Sequence, residues 1–204
     1  MITEQEQFWN SQFGDEYTDR NQGEIEVASN KSFFSKIIAK TGSLSSIIEL
    51  GANRGMNLVA LRELLPKVRL DAVEINEKAV SSLKSLQITN SVYHESILTF
   101  KPERKYDLAF TKTVLIHINP KYLNIVYELM AKLTTQYLLL AEYYNTTPVE
   151  ILYRGHSDRL FKRDFAGEIL DQHPQFSLVD YGFLYHRDSK NPQDDISWFL
   201  LKTK

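Results

Sequence analysis

Apolar positions fall into short dense runs separated by stretches with a helical period, an alternation that predicts strands and helices in turn. Ser46–Leu50 reads as a first strand, residues 69–75 as a second, 91–94 as a third and 106–110 as a fourth. Residues 137–141, YLLLA, form a fully apolar fifth strand, as expected of a central parallel strand. Between them, Leu58, Leu61, Leu64 and Leu65 predict a helix that Pro66 ends. Asn76 caps a helix over residues 77–86, and Asn119-Pro120 opens one carrying Leu123, Val126, Met130 and Leu133. Upstream, Trp9, Phe13 and Tyr17 recur every four residues on one side of a helix, and Phe33, Phe34, Ile37 and Ile38 mark a second that Gly42 stops. Downstream, residues 143–164 lack clear periodicity, 165–170 read as a helix, and 178–185 and 196–201 alternate like a strand pair. The alternation predicts a Rossmann-like, doubly wound α/β sheet. Neither repeats nor a linker divide the 204 residues, so one domain is expected.

Composition narrows the function classes. A net charge of −2 gives no global basic field, so nucleic acid is not favoured as a partner. There is no cysteine, which removes disulfides and thiolate metal sites. The polar start MITEQEQFWNSQFGDEY is unlike a signal peptide, and no apolar run approaches the roughly 20 residues that span a bilayer. A soluble cytoplasmic protein is the expectation.

The chemistry centres on IIELGANRGMN, residues 47–57, where a strand runs into a glycine turn and then a helix. That is where α/β sheets bind small ligands. A dinucleotide fingerprint from Gly51 would need glycines at Asn53 and Met56, and a P-loop would need Gly-Lys-Ser/Thr at Met56-Asn57. The pattern present is acidic-x-Gly-x-x-x-Gly: Glu49, Gly51 and Gly55. Here the chain resembles class I S-adenosylmethionine-dependent methyltransferases. A carboxylate suits the ammonium and sulfonium of that cofactor, and glycines let backbone approach it. Glu74 ends the second strand 23 positions after Gly51, where an acid in βαβ folds grips a ribose diol. The resemblance implies one antiparallel strand near the C-terminus. It also places Asn53, Asn57, Ile75, Thr111 and Leu115 at the cofactor, with Ile97 positioned to pack on the adenine. Where the family commonly carries an acid for the adenine amino group this chain has Ser96, beside Glu95. The aromatic stripe of residues 1–30 is either packing or a lid that brings Tyr17, Arg20 and Asn21 to the cofactor.

FTKTVLIHINP, AEYYNTTPVEILYRGHSDRLFKRDFAGE, LVDYGFLYHRD and PQDDISWFLL, with FGDEY and RN upstream, resemble the methylases associated with pseudaminic acid biosynthesis. That resemblance spans nearly the whole chain. It implies a small, anionic sugar or sugar-nucleotide acceptor from nonulosonic acid biosynthesis, methylated at O or N. A methyltransferase for another small metabolite, or a non-catalytic protein that only binds the cofactor, are the rival readings.

Methyl transfer from a sulfonium needs alignment of the nucleophile and is helped by a base. The loops after the fourth and fifth strands supply candidates. His117 is either a base or a packed loop histidine. Tyr143, Tyr144 and Asn145 could form a polar rim, and Glu142 is structural or binds a substrate amine. His156 and Asp158 lie two apart, on one side of an extended segment, where the Asp could orient the His. Tyr153, Arg154 and Arg159, with Lys162 and Arg163, form an anion site or a solvated loop. No spacing such as H-E-x-x-H appears, so no metal is expected.

Overall fold

The structure is a computed structural model that describes residues 2–20 and 23–204. Helices α1 (Glu4–Trp9), α2 (Gln12–Arg20) and α3 (Glu24–Thr41) precede β1 (Ser46–Leu50), α4 (Met56–Leu64), β2 (Arg69–Glu74), α5 (Glu77–Ser85), β3 (Ser91–His94) and β4 (Tyr106–Lys112). Then come α6 (Leu123–Leu133), β5 (Thr134–Glu142), β6 (Val149–Tyr153), β7 (His156–Lys162), α7 (Phe165–Gln172), β8 (Phe176–Leu184) and β9 (Ile196–Thr203). Seven strands form one sheet in the order β3-β2-β1-β4-β5-β9-β8, and β6 pairs only with β7. The first five strands of that order are parallel, while β9 runs antiparallel to both β5 and β8.

Strands buried on both faces need apolar side chains at every position, because successive residues point to opposite sides. Ile47 enters the core layer that holds Phe33, Phe34 and Leu61, while its neighbour Ile48 enters the layer with Val126, Tyr127 and Met130. Leu139 and Leu140 on β5, and Leu200 and Leu201 on β9, divide in the same way. The helix boundaries have local causes. Asn76 Oδ1 accepts from Ala79 N–H at 2.9 Å to start α5, and Gly42 ends α3 with φ 72°.

Two regions depart from the sequence expectation. The stripe Trp9, Phe13, Tyr17 lies on two helices rather than one, with a break at Asn10–Ser11. The freed Trp9 carbonyl leans onto Gly14, where a Cβ would overlap it, and accepts from Asn76 Nδ2 at 3.2 Å. The three rings still touch, with Trp9–Phe13 and Trp9–Tyr17 centroids 5.6 and 5.1 Å apart. Residues 143–164 hold an ordered hairpin, β6–β7, whose turn places Arg154 at φ 49° and Gly155 at φ 86°. Most of β6 is exposed, so no apolar alternation announces it.

Candidate active site

Strand ends, the glycine turn and the N-terminal arm together enclose a cavity of about 490 Å³ at the C-terminal edge of the parallel strands. Backbone freedom at the turn is required, not incidental. Gly51 (φ 76°) carries the chain out of β1, and a Cβ there would stand 2.6 Å from Val114 Cγ2. Gly55 (φ 87°) opens α4, with Leu83 occupying the space a side chain would need. Both therefore serve close packing of the turn against its neighbours, and both line the cavity.

Three side chains set the polarity beside the glycine turn. Glu49 is fully buried behind the wall, and burial pushes its carboxyl up to about 8. Its Oε1 accepts from Asn57 Nδ2 at 2.6 Å, and Asn57, which lines the cavity, has its Oδ1 buried without a partner among the described residues. Glu74, at the end of β2, accepts from Asn53 N–H (2.6 Å), Ile75 N–H (2.8 Å) and Asn76 N–H (2.8 Å). These bonds tie the glycine turn to the next strand, and a carboxylate with about four acceptor positions retains capacity for a ligand hydroxyl. Burial raises the Glu74 carboxyl above its ordinary value against the pull of those N–H groups.

The arm closes one side. Thr18 Oγ1 reaches Asn53 Oδ1 at 3.1 Å, Arg54 Nη1 donates to the Thr18 carbonyl at 3.3 Å, and Glu6 bonds the Ser96 hydroxyl. Trp9 packs on His117 with centroids 4.5 Å apart, its Nε1 buried without a partner. The hairpin backs this cluster, since Gln5 Nε2 donates to the Asp158 carbonyl at 3.0 Å and Phe8 lies 5.1 Å from the His156 ring.

His117 follows β4 on a short helical turn, Leu115–His117, whose N–H groups are received by the buried Glu142: Val114 and Leu115 at 3.2 Å and Ile116 at 3.4 Å. Burial pushes the Glu142 carboxyl up to about 7. The His117 Nδ1–H donates to the Arg159 carbonyl at 2.6 Å, because a carbonyl can only accept, and this leaves Nε2 as the basic nitrogen. Burial lowers the imidazole to about 4, so at neutral pH it is an uncharged acceptor and a weak base.

No protein-family model matches the chain, and no curated protein matches it. Solved structures do. The plantazolicin methyltransferase BpumL in complex with SAH aligns at TM-score 0.69 and 13% identity, over 98% of this chain and 94% of that one. Magnesium protoporphyrin IX methyltransferase (ChlM) from Synechocystis PCC 6803 with bound SAM aligns at 0.68 and 15%, over 99% and 98%. The N-methyltransferase NodS from Bradyrhizobium japonicum WM9, in complex with S-adenosyl-L-homocysteine, gives 0.68 and 14%, over 92% and 97%. The fold is the class I methyltransferase fold.

On this class I methyltransferase scaffold the sequence-selected residues separate into two groups. Tyr17, Gly51, Asn53, Gly55, Asn57, Glu74, Ile75, Ser96, Ile97 and His117 line the cavity. Glu49, Thr111 and Leu115 are fully buried outside its wall. Arg20 is exposed beside Glu16 (3.9 Å), and Asn21 lies outside the described residues. Tyr143 donates to Asp194 Oδ2 at 3.1 Å, Tyr144 packs on Phe199, and Asn145 bonds the Thr147 carbonyl at 2.6 Å. Tyr153, Arg154, His156, Asp158 and Arg159 belong to the hairpin. Arg154 and Arg159 meet the rings of Tyr153 and Phe8, at 5.8 and 5.2 Å. The expectation that Asp158 orients His156 is corrected. Asp158 has φ 57°, which breaks the extended geometry that would align the two, and no hydrogen bond joins them among the described residues. Lys112, Glu26, Asn30 and Asp194 line the cavity unannounced by the sequence, since they converge from positions far apart with no local motif.

Proposed function

We propose that the chain is an S-adenosylmethionine-dependent methyltransferase acting on a small acceptor. The observation that carries this reading is the cavity that gathers Gly51, Asn57 and Glu74, with the Asn57 amide oxygen buried and unpartnered. An orphaned acceptor backed by the Glu49 carboxyl suits the cofactor's ammonium, and Glu74 suits its ribose diol. Ser96 and Ile97 would flank the adenine. The bound cofactor would supply an electrophilic methyl group on sulfur. The chain's own residues orient it, hold the acceptor in line and keep water out, with α1 and α2 as the lid over the cavity. The resemblance supports a sugar or sugar-nucleotide acceptor of the nonulosonic acid type, methylated at O or N, within a single domain.

Calorimetric titration with S-adenosylhomocysteine tests the donor half: one-to-one binding is expected, and no heat of binding at millimolar ligand refutes it. Incubation with methyl-labelled cofactor and CMP-activated nonulosonic acids tests the acceptor half. Binding without transfer to these or any other small acceptor would leave a non-catalytic cofactor-binding protein.

A further inference from the structure

Beyond the cofactor residues the cavity has a second wall, on the β4 and β9 side of the glycine turn. Glu26, Ser29 and Asn30 of α3, Lys112 at the end of β4, and Gln193 and Asp194 before β9 line it. Its polar groups lack partners. Ser29 and Asn30 are each 1% exposed, yet the Ser29 hydroxyl, both amide atoms of Asn30 and Gln193 Oε1 make no hydrogen bond among the described residues. A buried polar group without a hydrogen bond is unfavourable, so their concentration on one wall points to a ligand that satisfies them. The Lys112 ammonium is half-buried and likewise makes no hydrogen bond or ion pair among the described residues.

Resting on the methyl-transfer reading above, we propose that this wall is the acceptor subsite, that it takes the uncharged, hydroxyl-bearing part of the acceptor, and that Lys112 Nζ receives the hydroxyl proton.

Three observations select that chemistry. Sheet order separates this wall from the cofactor residues. Asn57, Glu74 and Ser96 follow β1, β2 and β3, whereas Lys112 ends β4 and Asp194 precedes β9 two strands further on. The orphaned groups mix donors with acceptors, as vicinal hydroxyls do. Charge is balanced here, with Glu26 and Asp194 facing Lys112 and Arg54, so the wall favours neither sign of acceptor charge. In the step itself, the acceptor oxygen forms a bond to the methyl carbon as the carbon–sulfur bond breaks. The bonding pair stays on sulfur, and the hydroxyl proton passes to the Lys112 amine.

Lys112 suits that task better than His117, the imidazole on the cavity. Burial lowers the lysine below its ordinary value, against Glu26 from α3, Glu49 from β1, Asp194 from the turn before β9 and Glu142 from β5. A buried lysine can act as a general base, whereas an imidazole near 4 takes a proton poorly.

Wild type, Lys112→Met and Lys112→Arg are compared in three measurements. In calorimetry S-adenosylhomocysteine should bind all three within roughly twofold; a loss of roughly tenfold or more in Lys112→Met assigns the wall to the cofactor and overturns the proposal. In NMR of the lysine Nζ groups in the S-adenosylhomocysteine complex, the signal absent from Lys112→Arg should titrate below the other lysines. A midpoint with the rest, near roughly 10.4, overturns it. In saturation-transfer NMR of the same complex, glucose should contact the protein more strongly than glucosamine or glucuronic acid. Preference for either charged sugar, or no contact from any of them, overturns the hydroxyl assignment. With an acceptor that wild type methylates, Lys112→Arg should lose roughly a hundredfold in turnover. It keeps the charge but cannot accept a proton, so retained turnover overturns the base role. If wild type fails to bind S-adenosylhomocysteine at all, the methyl-transfer reading falls instead.

Discussion

Replacing Glu74 by alanine removes the acceptor of three backbone N–H groups, from Asn53, Ile75 and Asn76. A net bond to a charged group contributes about 1.5–3 kcal/mol, but these three share one carboxylate and so do not add. Burial of that carboxylate already costs part of the gain, as its raised protonation range shows. The expected loss of unfolding free energy is therefore about 2–4 kcal/mol. At this chain length that corresponds to roughly 4–16 °C in Tm. Cofactor affinity falls as well, by about 1.5–3 kcal/mol or roughly 10- to 150-fold, through the lost ribose contact and a glycine turn no longer tied to β2. Glu74→Gln separates the two effects. Its oxygen can keep the Ile75 and Asn76 donors, while its NH2 faces the Asn53 N–H, donor against donor. Tm should then recover in part while affinity stays low. Differential scanning calorimetry and titration with S-adenosylhomocysteine read both quantities. Unchanged affinity in Glu74→Ala, measured where the variant is still folded, refutes the ribose assignment.

Stability should fall between pH 6.5 and 8. Glu49 and Glu142 bind protons more tightly folded than unfolded, at about 8 and about 7, so the native state holds more protons there and loses stability as they ionise. His117, lowered to about 4, acts with the opposite sign, but only between its folded value and the ordinary one of about 6.5. Thermal midpoints at pH 6.5 and 8 check this, and Glu49→Gln should flatten the slope; a rising midpoint contradicts it. Gly14→Ala places a methyl group on the Trp9 carbonyl oxygen, so the α1–α2 packing should open while the sheet persists. Faster amide exchange over residues 3–20 with a Tm within a few degrees is the expected result, and unchanged exchange is the adverse one. At saturating cofactor, His156→Ala should retain turnover within roughly threefold because that ring is exposed against Phe8. His117→Ala, which breaks the bond to the Arg159 carbonyl, should cost roughly tenfold or more. Equal losses would reject this separation.

The sheet was legible because its physics is local. Strands such as Ile47–Ile48 and Leu138–Leu140 are buried on both faces and must be apolar throughout, and Asn76 and Gly42 punctuate helices by short-range chemistry. The break after Trp9 was not legible, since neither Asn10 nor Ser11 forces a stop and the cause, Gly14 against a carbonyl held by Asn76, is tertiary. On the cavity, Gly51, Asn57 and Glu74 could be selected because one βαβ unit carries them all. Glu26, Lys112 and Asp194 share no such unit. Lys112 and Asp194 meet because β4 and β9 flank β5 in the sheet, and Glu26 joins them from α3, adjacencies that no spacing along the chain expresses.

The β6–β7 hairpin carries a consequence for how specificity can change. Its ladder is self-contained, and its hydrogen bonds run to the N-terminal helices and the Leu115–His117 turn, while Leu160 packs into the core beneath the sheet. Residues 149–162 can therefore be shortened, lengthened or exchanged without disturbing a single main-sheet hydrogen bond. A lineage could retune the surface behind the N-terminal arm and the His117 turn while inheriting the donor chemistry unchanged, because no residue of the hairpin lines the cavity itself.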